Sequence, residues 1–456
     1  MDNNQNKITL KKGLILKKIQ NQSNLNQGLS YEGLCIIRDF DIPIFVYNLL
    51  PNEIADIEIT YYSKKCCFAK VIKLWNKSSK RKELNNQLKE LYESGSSPLL
   101  SLSYQDQLNF KQTIINNLFQ RNLNYFNVKK IIKSNNQLNY RNKISLQIEY
   151  HENQIKFGFY KKHSHQLIAQ SDLYLGNSTI KKFYKNILLD PNNQFDQELK
   201  KAIFNLKPKK IILRSPSNNN LNEEIEIILI LKNHPNKNLI DNLEKINKKI
   251  SIYKFSIFIE NKNHWINLLH HNGIEYQINN FRFNVKNDSF YQINEEIMVL
   301  IYQQIFDWIE SSNLNIVDAF SGVGTIGSYI ANKANKVYSI EINQIATMLA
   351  KSNILKNKLK NLEVINDDAN DWIVKNAKKI DLAIFDPPRE GLKKQSIEAI
   401  IQSKIKKIIY LSCDPKTLVR DLKELINNNY LIKEVIPYDM FPQTHHIETL
   451  VLLEKK

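Results

Sequence analysis

The chain holds four cysteines, Cys35, Cys66, Cys67 and Cys413, and Cys413 is the one set where a thiol can react. It follows the apolar run KIIYLS and precedes DPKTLVRD, which puts it at the carboxyl end of a predicted strand and just ahead of a predicted helix. A helix N-terminus favours an ionised sulfur, and a thiolate is a nucleophile suited to covalent catalysis. Cys35 reads as a small core residue. The cysteines show neither a two-plus-two metal spacing nor a disulfide framework, so no metal is expected.

A second group of residues can hold a cofactor. DAFSGVGTIG, Asp318 to Gly327, falls where a predicted strand gives way to a helix, and Gly322 and Gly324 let the backbone turn tightly against a ligand. About twenty residues further on, strand KVYSI ends at Glu341, where a carboxylate can take both ribose hydroxyls. Asp367 and Asp368 follow LEVI, in reach of an adenine, and Asp386 ends DLAIFD. Any one of these acids alone reads as a helix cap. Four successive strands ending in an acid or a glycine turn point to S-adenosylmethionine, with NAD as the alternative; only one phosphate-sized turn is present. The prolines of DPPREG, Asp386 to Gly391, stiffen the next loop and fix Asp386 and Arg389.

The elements that must position these groups fall into three parts. Residues 287–456 alternate apolar strands and helices, the pattern of a parallel doubly wound α/β sheet, so a Rossmann-like domain closes the chain. Residues 10–82 read as short alternating strands, a small antiparallel β-barrel. Residues 83–286 mix helical and strand-like runs, an α+β region in which YRNK at Tyr140 to Lys143, GFY at Gly158 to Tyr160 and HSH at His163 to His165 would suit RNA if they faced one groove. A length of 456 residues fits such a modular chain. The formal charge of +18, from 64 Lys+Arg against 46 Asp+Glu, suits a polyanionic partner, although a composition rich in Lys, Asn and Ile throughout would raise the charge with no binding role. No stretch has the length of a signal peptide core or a membrane span, so a cytoplasmic, non-membrane protein is expected.

LSCDPKTLVRD, Leu411 to Asp421, and DMFPQTHHIETLVLL, Asp439 to Leu453, resemble the two signature motifs of RNA uracil-5-methyltransferases. The resemblance runs over essentially the whole chain and is strongest at residues 290–453. It implies that Cys413 adds to carbon 6 of uracil, that carbon 5 then attacks the methyl group of S-adenosylmethionine, and that Glu448 removes the carbon-5 proton so that the thiolate can leave. His445 and His446 are read as orienting groups. FYQIN, Phe290 to Asn294, resembles the family's entrance to the catalytic domain and implies a cofactor contact from Gln292. The same match makes Phe320, Glu341, Asp368 and Asp386 cofactor or uracil contacts, Asp368 by the loosest alignment. In the N-terminal part, Glu32-Gly33, Phe45-Val46, Leu50-Pro51 and Phe68 to Val71 resemble the landmarks of the TRAM domain, an OB-like RNA-binding module.

One departure stands out. Many ribosomal-RNA members carry a four-cysteine iron–sulfur cluster where this chain reads SGSSPLLSLSYQDQLNFKQ, Ser94 to Gln112, so no cluster is expected. A TRAM-like domain implies 23S ribosomal RNA as substrate, with uridine 54 of transfer RNA as the alternative, and a monomeric enzyme. The competing classes are a non-catalytic RNA-binding ribosome-assembly factor and a cytosine-5 methyltransferase. A Pro-Cys pair would mark the latter, whereas Ser412 precedes the thiol here.

Overall fold

The computed structural model describes residues 9–152, 154–161, 164–189, 197–217, 224–250, 252–261, 264–269, 271, 273–286 and 289–456. The C-terminal sheet has seven strands. From one edge they run Leu362–Asn366, Lys336–Glu341, Asn315–Ala319, Leu382–Phe385, Lys407–Ser412, Glu448–Lys455 and Tyr430–Tyr438. The first five are mutually parallel. Helices on both faces bury them, and Leu382–Phe385 accordingly reads as an unbroken apolar run, LAIF. Glu448–Lys455 runs antiparallel to both neighbours, a departure from the all-parallel expectation. Its connection to Tyr430–Tyr438 is the loop 439–447, too short for a crossover helix, so the two strands pair as a hairpin. This loop is also what brings Glu448 to the sheet edge beside Cys413.

The N-terminal sheet orders its strands Ile15–Gln20, Ile54–Tyr62, Cys67–Asn76, Ile44–Tyr47, Cys35–Ile37. The expected antiparallel ladder is mixed. Ile44–Tyr47 pairs parallel to Cys67–Asn76 because the chain reverses once before Ile54–Tyr62 and again after it, and the third strand then lies beside the first. Inward residues Ile44, Val46, Ile57, Ile59, Cys67 and Ala69 are fully buried. Cys35 joins them, and burial pushes its thiol up to about 12, so it serves as core.

A second seven-stranded sheet spans residues 143–269. Two other pieces of the 83–286 stretch pack on the C-terminal sheet instead. The hairpin Ile274–Ile278 and Phe281–Val285 buries Ile274, Tyr276 and Phe283 in one of its core layers. Helix Tyr104–Leu123 buries Leu108, Ile115 and Phe119 in the other, against helix Pro415–Asn427. Its start is fixed by Ser103, whose hydroxyl accepts from the Asp106 amide at 3.1 Å, and its end by Asn124 in the left-handed region.

Candidate active site

Cys413 lies directly after strand Lys407–Ser412 and before Asp414, the N-cap of helix Pro415–Asn427. The Asp414 carboxylate accepts from the amides of Lys416 (2.9 Å) and Thr417 (3.2 Å) and so occupies the helix N-terminus itself. The expected ionisation of Cys413 by the helix dipole is therefore outweighed. Burial, then the charges of Glu448 and Asp386, push the thiol up to about 12, while the Arg389 guanidinium beside it pulls the other way. Glu448 opens the neighbouring antiparallel strand, only 2% exposed. Burial and the Asp386 carboxylate hold its carboxyl well above the usual range. Asp386, at the end of strand Leu382–Phe385, is itself raised to about 7 by burial, and Gln292 donates to it at 3.3 Å.

The cofactor turn sits two strands away. Phe320 adopts φ +64°, a left-handed conformation that costs about 1–2 kcal/mol in a residue with a side chain. Gly322 (φ +56°) and Gly324 (φ +79°) follow, so the backbone curls back on itself before helix Thr325–Ile330. Glu341 holds this curl, accepting from the Gly322 amide at 2.8 Å and from Asn343 at 2.7 Å. Asp368 caps helix Ala369–Asn376 through the Asn370 amide at 2.8 Å, and Lys393 bonds its other oxygen at 2.9 Å. The helix-cap reading thus describes what Asp368 does here.

Sequence reasoning left Asp318 out of the site. It is buried at the base of the turn, accepts from the Gly327 amide at 2.9 Å, and burial raises it to about 7. A side chain at Gly327 would collide with the Ser339 hydroxyl, so the glycine is needed for this approach. The signal was present: both residues bound the DAFSGVGTIG segment.

The loop carrying the histidines is clamped by a segment more than 300 residues earlier in the chain. Lys111 and Asp439 form a fully buried ion pair at 2.5 Å, Tyr104 donates to the other Asp439 oxygen at 2.7 Å, and Lys111 also reaches the Phe441 carbonyl at 3.1 Å. Gln107 pairs with the Gln443 side chain at 2.8 Å, and Gln443 accepts from the Leu99 amide at 3.1 Å. The Ser94–Gln112 stretch therefore braces the loop 439–447 that leads into Glu448.

Cys413 opens onto a cavity of about 630 Å3 whose wall comes from every part of the chain: Tyr31 and Glu32, the turn at Ser94 to Ser96, Arg141 and Tyr160, then Arg389, Lys416, His445 and His446. Tyr31 meets the His445 ring edge-on at 5.5 Å, and Lys416 lies 4.8 Å from the Tyr31 ring. Arg141 and Tyr160 bring two of the three middle-region clusters to this wall; His163 lies outside the described residues.

A seven-stranded sheet with one reversed strand, carrying a glycine turn and a row of acids at its carboxyl edge, is the framework of a Rossmann-like methyltransferase. The chain belongs to the tRNA (uracil-5-)-methyltransferase family, whose pattern matches residues 103–456. It is 31% identical over 445 residues to an uncharacterized RNA methyltransferase of Fusobacterium nucleatum, covering 93% of each chain. It is 30% identical to one of Enterococcus faecalis, covering 94% of this chain and 95% of that one. Among solved structures it resembles the tRNA (uracil-54, C5)-methyltransferase of Pyrococcus abyssi, determined in complex with S-adenosyl-L-homocysteine. The TM-score is 0.71 at 21% identity, over 95% of this chain and 99% of that one. Among the described residues no helix is long and apolar enough to cross a membrane.

Proposed function

We propose that the chain transfers a methyl group from S-adenosylmethionine to carbon 5 of a uridine in RNA through a covalent adduct on Cys413. The carrying observation is the meeting of a half-buried thiol and a buried carboxyl whose charges oppose each other. In the resting site both hold their protons, and binding of RNA and the cationic cofactor releases both to solvent through the cavity onto which Cys413 opens, leaving a thiolate and an ionised Glu448. Arg389, hydrogen-bonded to the sulfur, favours the thiolate once an electron-poor ring is presented. Sulfur then bonds carbon 6, and the electron pair of the carbon 5–carbon 6 double bond becomes available at carbon 5.

S-adenosylmethionine supplies an electrophilic methyl group on a sulfonium whose positive charge suits a rim of carboxylates. Gln292, Phe320, Gly322, Gly324, Glu341 and Asp386 would hold it, with Asp318 supporting the turn from below. Asp368 would add at most a peripheral contact beside its capping role. Glu448, ionised, takes the carbon-5 proton, the electrons of that bond re-form the double bond, and the sulfur leaves. A carboxyl with a raised pKa is matched to this step, since it takes a proton readily near neutrality.

The RNA proposed is 23S ribosomal RNA, supported by the barrel joined to the catalytic domain; uridine 54 of transfer RNA is the second candidate. The three parts 10–82, 83–286 and 287–456 would hold the flanking strand, the flank and the flipped base respectively, in a monomer. The test incubates the protein with S-adenosylmethionine and, separately, unmodified 23S RNA and unmodified transfer RNA, then digests both for nucleoside mass spectrometry. 5-Methyluridine in 23S RNA alone supports the proposal, its appearance in transfer RNA alone moves the substrate, and none in either defeats the enzyme reading.

A further inference from the structure

The outer face of the N-terminal sheet is aromatic where a solvated face is ordinarily polar. Ile44 and Val46 point into the core, so Phe45 and Tyr47 stand outside, and Phe68 lies between inward Cys67 and Ala69. Phe45 and Phe68 are direct partners across the parallel ladder. Their rings stack at 5.5 Å and 29°, and Tyr47 stacks on Phe68 at 6.0 Å and 28°. Tyr61 completes the group at 6.0 Å from Phe68. In a regular strand Tyr61 would share the inward side of Ile59; a register shift between the two turns it outward and leaves it 54% exposed. Cross-strand aromatic pairs also stabilise sheets, but a bulge that carries a tyrosine out of the core contributes no burial.

Position and charge identify an occupant. Tyr47 lines a crevice with Glu32, Gly95 and Pro98, and these three also line the cavity that holds Cys413. The aromatic strip is thus continuous with the reaction site. Exposed Lys64 and Lys65 follow Tyr61 and Tyr62 in the connecting turn, and residues 9–82 hold 13 Lys and Arg against 6 Asp and Glu.

We propose that Phe45, Tyr47, Phe68 and Tyr61 form a stacking platform for unpaired bases flanking the target nucleotide, so that the substrate is an unpaired RNA segment reaching from the platform to Cys413. The proposal rests on the RNA-methylation reading. The near-parallel rings of Phe45, Tyr47 and Phe68, with Tyr61 tilted at 58° to Phe68 on the exposed side, accept successive bases of any identity, and Lys64 and Lys65 meet the phosphates between them.

The experiment compares binding of fluorescent oligouridylates of about 12 and about 4 nucleotides to the full chain, the longer able to span platform and pocket and the shorter fitting the pocket alone. Tyr61→Ala removes an exposed ring, while Phe45→Leu and Phe68→Leu keep apolar bulk and remove the ring face. The expected result is a loss of about tenfold per variant for the long probe and none for the short one, with melting temperature unchanged for Tyr61→Ala and lowered by no more than the few degrees that the cross-strand pair contributes for the two Phe variants. Equal loss for both probes, or no loss for either, overturns the platform. The comparison needs no methyl transfer, so failure of the wild type to make 5-methyluridine defeats the catalytic reading separately.

Discussion

Asp439 and Glu448 stand at the two ends of one loop, both all but inaccessible, and their surroundings treat them oppositely. Asp439 is matched by the Lys111 ammonium and the Tyr104 hydroxyl, so its charge is neutralised inside the protein. Burial, and then the Asp386 carboxylate that it faces, raise the pKa of Glu448. A buried acid with dedicated partners is a fastening; one set against a like charge costs stability, as the proposed role of Glu448 requires. The loop is anchored at one end so that the other can be held in an unfavourable place.

The contrast can be broken from either side. Cys413→Ala should abolish methyl transfer altogether, since among the described residues lining the cavity Cys413 carries the one thiol; activity surviving the change would end the covalent account. Lys111→Met leaves the buried Asp439 without its counter-charge, with only the Tyr104 hydroxyl on its carboxylate, and should cost about 3–5 kcal/mol in denaturant unfolding. Adding Asp439→Asn should return most of that loss, whereas further loss in the double variant would mean that the pair is not the fastening. The pH dependence follows the raised acids. Asp318 and Asp386 titrate near 7 in the folded chain against an ordinary value of 3.8, so the folded state binds more protons in between. Their contribution to stability is therefore greatest below about pH 4, falls as pH rises toward 7 and is level above it. Asp386→Asn should flatten part of that slope, which a series of thermal melts across this range would reveal. The smallest effect belongs to Asp368→Ala, a lost cap of about 1 kcal/mol. A fall in cofactor affinity measured by calorimetry on the same variant would sharpen its role toward adenine.

Much of the site lay open in the amino-acid order. The strand-then-turn segments around Gly322, Glu341, Asp386 and Cys413 carry local signals, because each functional residue ends an apolar run at the edge of a doubly wound sheet. What stayed hidden depends on packing between distant segments. Nothing local in LNFKQ says that Lys111 is buried against Asp439, and Tyr31 gives no sign in sequence of standing beside His445 and Lys416. The thiol's environment was misjudged for a similar reason. The dipole argument counts only the helix that follows Cys413, while the burial that chiefly raises the thiol, and then the charges of Glu448 and Asp386, come from segments distant in sequence. In the N-terminal sheet alternation identified the strands, but the parallel pairing of Ile44–Tyr47 with Cys67–Asn76 is a matter of register between non-adjacent segments.

The most direct test uses Glu448→Gln with S-adenosylmethionine and the RNA that the wild type modifies, followed by denaturing electrophoresis and intact-mass measurement. Removal of the base should stall the reaction after methyl transfer, giving a protein–RNA adduct through Cys413 that carries one added methyl group. A variant that turns over like the wild type, or an adduct that forms without the methyl, would contradict the assignment of Glu448 as the group that takes the carbon-5 proton.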